Sequence, residues 1–387
     1  MAATERQPQR GPSRGDKAGA IIAAALALPG VVAHAQGAPE YGVLALKYLD
    51  YRDSQPGLDR IRVSSPSVYV LAPLSPQWAV EASLVSDAVS GATPRYHTAI
   101  SGATPHMSDQ RYAGNVQVTR YFDRSSYSLG VAGSNENDYR SGAVSLNANF
   151  SSDDNNQTWN IGLGYASDKI TSVNDDTLHE RRRTAELLLG LTQVWTANDV
   201  VQLNLTLNRG RGYYSDPYKE PDVRPRERDQ AVALVRWNHY FTESGAAVRS
   251  AYRFYRDTFG IKAQTLSAEW VQPFGGRFTL TPSLRLYSQS AARFYFDPVY
   301  DPDLGPPYPP GYFTNPPQHI SPDQRLAAFG GITAGLEFTI QITPDWLIDL
   351  KGERYEQRSG WRIGGKGSPG LEPFRATFLR IGVETRF

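Results

Sequence analysis

The 387-residue chain contains no cysteine and only 2 methionines. A chain without cysteine has no disulfide framework, which suits an exported protein whose backbone ladder closes on itself. Long apolar runs are missing as well. Beyond the N-terminus no stretch reaches the roughly 20 apolar residues that a spanning helix requires. Mean hydropathy is negative, so a helical membrane protein is excluded. Charge of one sign is also lacking: 40 Lys and Arg balance 39 Asp and Glu, for a formal net charge of +1. That balance gives no electrostatic footprint for nucleic acid, and no nucleic-acid partner is expected.

The N-terminus reads as a targeting segment. Arg6, Arg10, Arg14 and Lys17 form a basic start, and Ala18 to Val32 is apolar but too short to span. Ala33-His34-Ala35 has the small-x-small pattern of a cleavage site. Residues 1–35 are therefore predicted to be a secretory signal peptide, and residues 36–387 the exported domain.

Most of what remains alternates with period two. Val144, Leu146, Ala148 and Phe150 alternate with Ser145, Asn147 and Asn149. Val201 to Asn208 and Phe278 to Leu286 repeat the pattern, apolar on one face and amide, hydroxyl or charge on the other. Connections alternate in length. Short ones such as Asp123-Arg124-Ser125, Ala197-Asn198-Asp199 and Phe274-Gly275-Gly276 fall between long ones at Ser90 to Asp109, Tyr213 to Pro225, Ala291 to Pro322 and Ser359 to Pro373. Trp78, Trp159, Trp195, Trp237, Trp270 and Trp346 sit near strand ends, as an interfacial girdle would place them.

These features predict an all-β fold, an antiparallel transmembrane β-barrel of about 16 strands. A soluble sandwich of this length would need domain boundaries, and no linker interrupts the strands. A charge facing lipid at mid-depth would cost about 2–4 kcal/mol, so strand charges are assigned to the lumen. Glu186, Arg249, Arg253, Arg285, Glu337, Asp349, Lys351, Glu353, Arg380 and Glu384 all fall on that face. The lining is mixed in sign. It admits either a wide aqueous bore or a closed interior braced by charges pairing across the barrel.

The last strand carries the clearest resemblance. Leu379, Ile381, Val383 and Phe387 share one face, and Arg380, Gly382, Glu384 and Arg386 the other. This ending resembles the C-terminal signature of bacterial outer-membrane barrels, whose terminal Phe serves as an assembly signal. With Tyr252-Arg253-Phe254-Tyr255-Arg256-Asp257-Thr258-Phe259-Gly260-Ile261, the chain is similar to a family of Gram-negative outer-membrane barrels of no established activity. The resemblance implies an outer-membrane location, with membrane lipid, lipopolysaccharide and the barrel-assembly machinery as partners. Glu180-Arg181-Arg182-Arg183, where a strand meets a long loop, is assigned to lipopolysaccharide phosphates.

The run Ser-Gly-Ala-Thr-Pro occurs twice, at Ser90 to Pro94 and Ser101 to Pro105, on the first long loop. Asp87, Ser90, Gly91, Ala92 and Thr93 resemble the acceptor motif of proteins carrying covalent FMN, attached by a flavin transferase to the final Thr. The resemblance implies FMN on Thr93, with Thr104 the lesser candidate because Thr98 replaces the leading acid, and periplasmic redox proteins as partners. Small neighbours suit close approach to a hydroxyl nucleophile.

Other motifs are weaker. His106-Met107-Ser108 shows the His-x-Ser spacing of the outer-membrane phospholipase but lacks the Asn-Gly that follows there and any third orienting residue, so no enzyme is expected. His97, His106, His179 and His319 read as solvated loop residues, His239 as interfacial, and no metal site is expected. The Pro- and Tyr-rich segment from Phe294 to Pro322 reads as a rigid external cap, with an inward constriction as the alternative. The expected function is a porin-like passage for small polar solutes. The alternatives are a flavin-bearing redox barrel and a structural barrel that anchors a partner.

Overall fold

The computed structural model describes residues 37–91, 107–219, 221–298, 308–309 and 311–387; the signal-peptide assignment lies outside the described residues. Period-two alternation becomes sixteen long strands. They are β1 (Val43–Gln55), β2 (Leu58–Ser75), β3 (Trp78–Gly91) and β4 (Met107–Tyr121). Next come β5 (Ser125–Asn135), β6 (Tyr139–Ser151), β7 (Gln157–Ile170) and β8 (Glu180–Val194). The second half holds β9 (Asp199–Gly212), β10 (Glu227–Phe241), β11 (Ala246–Asp257) and β12 (Lys262–Phe274). The last four are β13 (Phe278–Gln289), β14 (Phe329–Gln341), β15 (Trp346–Arg358) and β16 (Phe374–Arg386).

Each strand pairs antiparallel with its sequence neighbours, and β16 returns to β1 to close the ring. The closing seam is in continuous register from Val43 opposite Arg386 to Ser54 opposite Arg375. Two further hydrogen bonds extend it, from Gly42 N to the Phe387 carbonyl (2.7 Å) and from Phe387 N to the Gly42 carbonyl (3.1 Å). The Phe387 ring lies where a Cβ at position 42 would stand, so a side chain there would have to push the terminal aromatic aside. Closure leaves no edge strand, the condition for a sheet to cross a bilayer.

Turn chemistry sets the two ends apart. Gly275 and Gly276 (φ 57° and 72°) take the left-handed positions of the three-residue turn Gly275-Gly276-Arg277 between β12 and β13. The long connections gather at the opposite end, interrupted there by the tight Pro56-Gly57 turn between β1 and β2. At that turn proline presets φ and Gly57 (φ 68°) takes the left-handed position.

The alternation is inverted relative to a soluble sheet. Leu84, Leu129, Leu146, Leu163, Leu203, Leu266, Leu336 and Leu379 are among the exposed side chains on the exterior, while Glu81, Ser128, Glu186, Thr265 and Asp349 are buried toward the lumen. Such an apolar exterior needs lipid rather than water against it. All six tryptophans singled out from the sequence are exposed and lie at the short-turn end of their strands.

Leu205 lies on the exterior face in the middle of β9, and its neighbour Asn204 faces inward. Leu205→Arg is expected to destabilise the vesicle-inserted barrel by about 2–4 kcal/mol in denaturant titrations, and Asn204→Arg by much less. Equal losses would contradict the assignment of faces.

Candidate functional site: the lumen and its loop cap

Lumenal charges pair along the wall, between strands one or two positions apart. The Asp87 carboxylate on β3 accepts from Arg111 Nε on β4 (2.7 Å), and Asp168 on β7 accepts from Arg182 on β8 (2.8 Å). Asp257 on β11 meets Arg228 on β10 at 2.6 Å. Arg380 on β16 bridges Glu337 (2.8 Å) on β14 and Asp349 (2.7 Å) on β15. The brace of charges pairing across the barrel, one of the two expectations, is not what the described residues form. Long side chains on neighbouring strands meet over a few ångströms, whereas opposite walls lie far beyond their reach.

Two sets of groups stay uncompensated. Arg236, Arg249, Arg253 and Arg285, on β10, β11 and β13, make no ion pair among the described residues. Arg253 instead stands over the Tyr255 ring at 5.5 Å. On the other walls, one carboxylate oxygen each of Glu81 (β3) and Glu186 (β8) is buried without a hydrogen-bond partner, as are Asn208 Oδ1 and Thr265 Oγ1. β3 and β11 stand eight strands apart in the ring of sixteen, so Glu81 and the Arg249–Arg253 pair are on opposite walls. Near Glu186 small residues hollow the wall. Gly130, Ala132, Ala143 and Gly164 leave a recess rimmed by Asn115, Gln117, Ser145 and Thr184.

The long loops fold inward over the β9–β15 side. Phe259, Ile261, Ala292 and Leu326 form a buried cluster against Tyr214, Tyr255, Phe294 and Tyr295; Ala327, Phe329 and Leu371 form a second with Tyr287 and Tyr295. Tyr255, Tyr287 and Phe329 are lumen-facing strand residues, so the loops rest on the inner wall. Gln289 Nε2 on β13 fastens them by donating to the carbonyls of Arg325 (2.9 Å) and Ala327 (2.6 Å). Of the Phe294 to Pro322 segment, read from the sequence as an external cap, the two ends turn inward. Phe294 and Tyr295 pack on the inner wall and Ile320 and Ser321 are buried, whereas Phe313 stays exposed and residues 299–307 and 310 lie outside the described residues. The inward rings bury more apolar surface against lumenal aromatics than in water.

A polar knot locks that constriction. Asp323 is fully buried among Arg224, Lys219 (3.1 Å) and Arg325 (2.9 Å from its Nε). Arg224 also grips Asp222 (2.7 Å), and Arg325 reaches Asp216 (3.0 Å). Antiparallel pairing of Val223 with Ile320 ties the two loops together. Burial alone would raise the Asp323 carboxyl, but Arg325, Lys219 and Arg224 hold it well below the usual carboxylate range. These residues drew no attention in the sequence. The density of charge and proline from Asp216 to Arg226 was the available signal, while Asp323 lies 99 residues from Arg224.

The residues proposed for flavin attachment are only partly described. β3 runs to Gly91, so Asp87, Ser90 and Gly91 belong to a strand rather than to the loop in which the motif was placed, because pairing with β4 continues to Gly91 opposite Met107. Asp87 is buried on Arg111. Ala92, Thr93 and Thr104 lie outside the described residues, as do His97 and His106. Among the described residues no group of three or more His, Cys, Asp or Glu is placed to hold a metal ion.

A family profile described as "Protein of unknown function (DUF3570)" matches residues 18–181 and 173–378. The chain belongs to this family. No curated protein matches it in sequence. Solved structures share the architecture. CdiB from Acinetobacter baumannii is similar with a TM-score of 0.51 at 9% identity, over 88% of this chain and 60% of that one. The siderophore receptor PirA from Pseudomonas aeruginosa gives 0.46 at 10% identity, over 89% and 62%. Pseudomonas aeruginosa OccK2 (OpdF) gives 0.43 at 10% identity, over 91% and 99%. The chain thus spans about three fifths of the first two proteins. At such identities the likeness is one of fold, that of outer-membrane barrels.

Asp323→Asn removes the buried charge shared by Arg224, Lys219 and Arg325, leaving three cations to Asp222 and Asp216, and is expected to destabilise the constriction by about 3–5 kcal/mol, read as faster limited proteolysis within residues 213–226. Wild type is expected to hold its protection from pH 7 to 5. The Asp323 pKa is depressed on folding, so its stabilisation is complete at neutral pH and is lost only as pH falls below the unfolded value of 3.8 toward the folded one.

Proposed function

We propose that the chain is an outer-membrane passage for small polar solutes, with the long-loop end external, both termini periplasmic, and the bore narrowed by the inward loops. The observation that carries this reading is the set of buried, unpartnered lumenal oxygens on Glu81, Glu186, Asn208 and Thr265. Tyr69 meets Glu81 and Asn208 meets Glu186, which leaves one buried oxygen of each carboxylate over. Such oxygens are better satisfied by water or a polar solute in the bore than by a dry interior. Among the described residues the constriction is built on the β9–β15 side, away from the small-residue recess of β5–β7 and β8. Uncompensated arginines on β10, β11 and β13 face the Glu81 side of the bore. A solute crossing between them meets a transverse field that aligns its dipole and disfavours apolar molecules.

Purified protein in planar bilayers is expected to give small, steady conductance steps. Removing positive charge with Arg253→Gln and Arg285→Gln together is expected to move the reversal potential in a salt gradient toward cation preference. Asp323→Asn is expected to enlarge the steps or make them flicker. Absence of conductance in all three, with heat-modifiable gel mobility showing folded barrels, would exclude the passage.

A further inference from the structure

The exterior above the apolar band is not uniform around the barrel. On β6 to β9 the lipid-facing rows run through Leu146, Leu163, Leu189 and Leu207, and at the long-loop end the same rows finish in Arg140, Lys169, Arg181, Arg183, Arg209 and Arg211. The register sets these cations side by side. Lys169 is directly opposite Arg140 on one flank and Arg181 on the other, and Arg183 is directly opposite Arg211. Adjacent strands are about 4.8 Å apart, and like charges directly opposite are destabilising.

At β1–β2 and β15–β16 acids accompany the rim cations, whereas Arg256 on β11 and Lys262 on β12 form a smaller pair of exposed cations directly opposite each other. Asp50 lies between Arg52 (2.7 Å) and Arg62 (2.8 Å), and Glu356 accepts from Arg358 (2.6 Å) with Arg375 at 3.6 Å. At the β10 border of the patch Arg211 is neutralised by Glu227 (3.2 Å) and Asp229 (2.9 Å), and Asp229 is also directly opposite Arg209 in the register. Arg140, Lys169, Arg181, Arg183 and Arg209 are exposed and make no ion pair among the described residues. Neither folding nor the lumen explains them, since they point away from the bore. The six strand-end tryptophans are at the other end; at this boundary Trp361 packs against Gly330 and Arg358 near β14 and β15, while on β6–β9 the apolar band is bounded by cations.

We propose that the outer ends of β6–β9 form an exterior binding site for the phosphorylated diglucosamine headgroup of lipid A. The site rests on the orientation given above, which puts this rim at the outer-leaflet headgroups. A headgroup bearing two phosphates matches two clusters of cations, Arg140–Lys169–Arg181 and Arg183–Arg209. Guanidinium forks bind phosphate oxygens in pairs, and the acyl chains would lie along the leucine rows below. A bound diphosphate removes the like-charge repulsion that the bare surface carries.

The test compares wild type with the triple variant Lys169→Gln, Arg181→Gln, Arg183→Gln in detergent, using native mass spectrometry and thermal unfolding. Wild type is expected to retain bisphosphorylated lipid A, and to bind the monophosphorylated and dephosphorylated forms progressively more weakly, by about tenfold at the first step. The triple variant is expected to lose that preference. Without lipid A it should unfold at the same temperature as wild type or higher, because repulsion is relieved. With lipid A the order should reverse. A merely structural patch would show no such reversal. Equal binding by both proteins, or equal retention of phosphatidylglycerol and lipid A by wild type, would overturn the site. Density-gradient fractionation of cells separates the two failures: outer-membrane recovery with no lipid A preference sinks this inference alone, and recovery elsewhere sinks the orientation and location with it.

Discussion

Every backbone N–H and C=O within the membrane must find a partner in the protein, because hydrocarbon supplies none. That requirement makes the β1–β16 seam the contact on which the rest depends. Were it open, two strand edges would face lipid, and no side-chain arrangement could compensate for them. The seam is protected accordingly. Its register is continuous from Val43 to Ser54, the terminal Phe387 is held by reciprocal hydrogen bonds to Gly42, and the aromatic ring occupies space that a Cβ would claim. With the ring closed, alternation has only two destinations, and each side chain belongs to lipid or to the bore.

Different physics then governs the three surfaces. The exterior answers to lipid and is leucine-rich with tryptophans at the short-turn end. The lumen tolerates charge because neighbouring strands offer counter-charges within reach, as in the Glu337–Arg380–Asp349 bridge. The loop constriction behaves as a small soluble core, with apolar clusters at Leu326 and Leu371 and a buried carboxylate ringed by three cations. Its buried ion pairs are costly to desolvate and are weak evidence for stability, but they define one geometry for two loops that are far apart in sequence. A fixed constriction gives a bore a defined size, which a slack loop cannot.

Much of the fold was legible because barrel sequence patterns are local. Phe278 to Leu286 shows its two faces without help from any other segment, and the turn at Gly275–Gly276 marks its own hairpin. Strand number and the ten lumenal charges named from parity followed from the same period. The site was less legible. Parity places Arg253 in the bore but does not say that it lacks an acid, since that depends on what β10 and β12 present beside it. The proline- and tyrosine-rich loop was read as an external cap because its composition gives stiffness, and stiffness has no direction. The motif at Asp87 to Thr93 was set in a loop because its small residues resemble turn chemistry, although β3 continues through Gly91.

The sequence by itself determined the two-faced strands, the alternation of short and long connections and the closing aromatic, because each is written within about a dozen residues and has period two. Only the tertiary structure decided which lumenal charges are satisfied, that parts of the long loops turn inward, and that five exposed exterior cations share one patch without an ion pair among the described residues. Those facts depend on contacts such as Arg224 with Asp323 and Lys169 between Arg140 and Arg181. Register and loop packing create them, and neither is visible until the ring has closed.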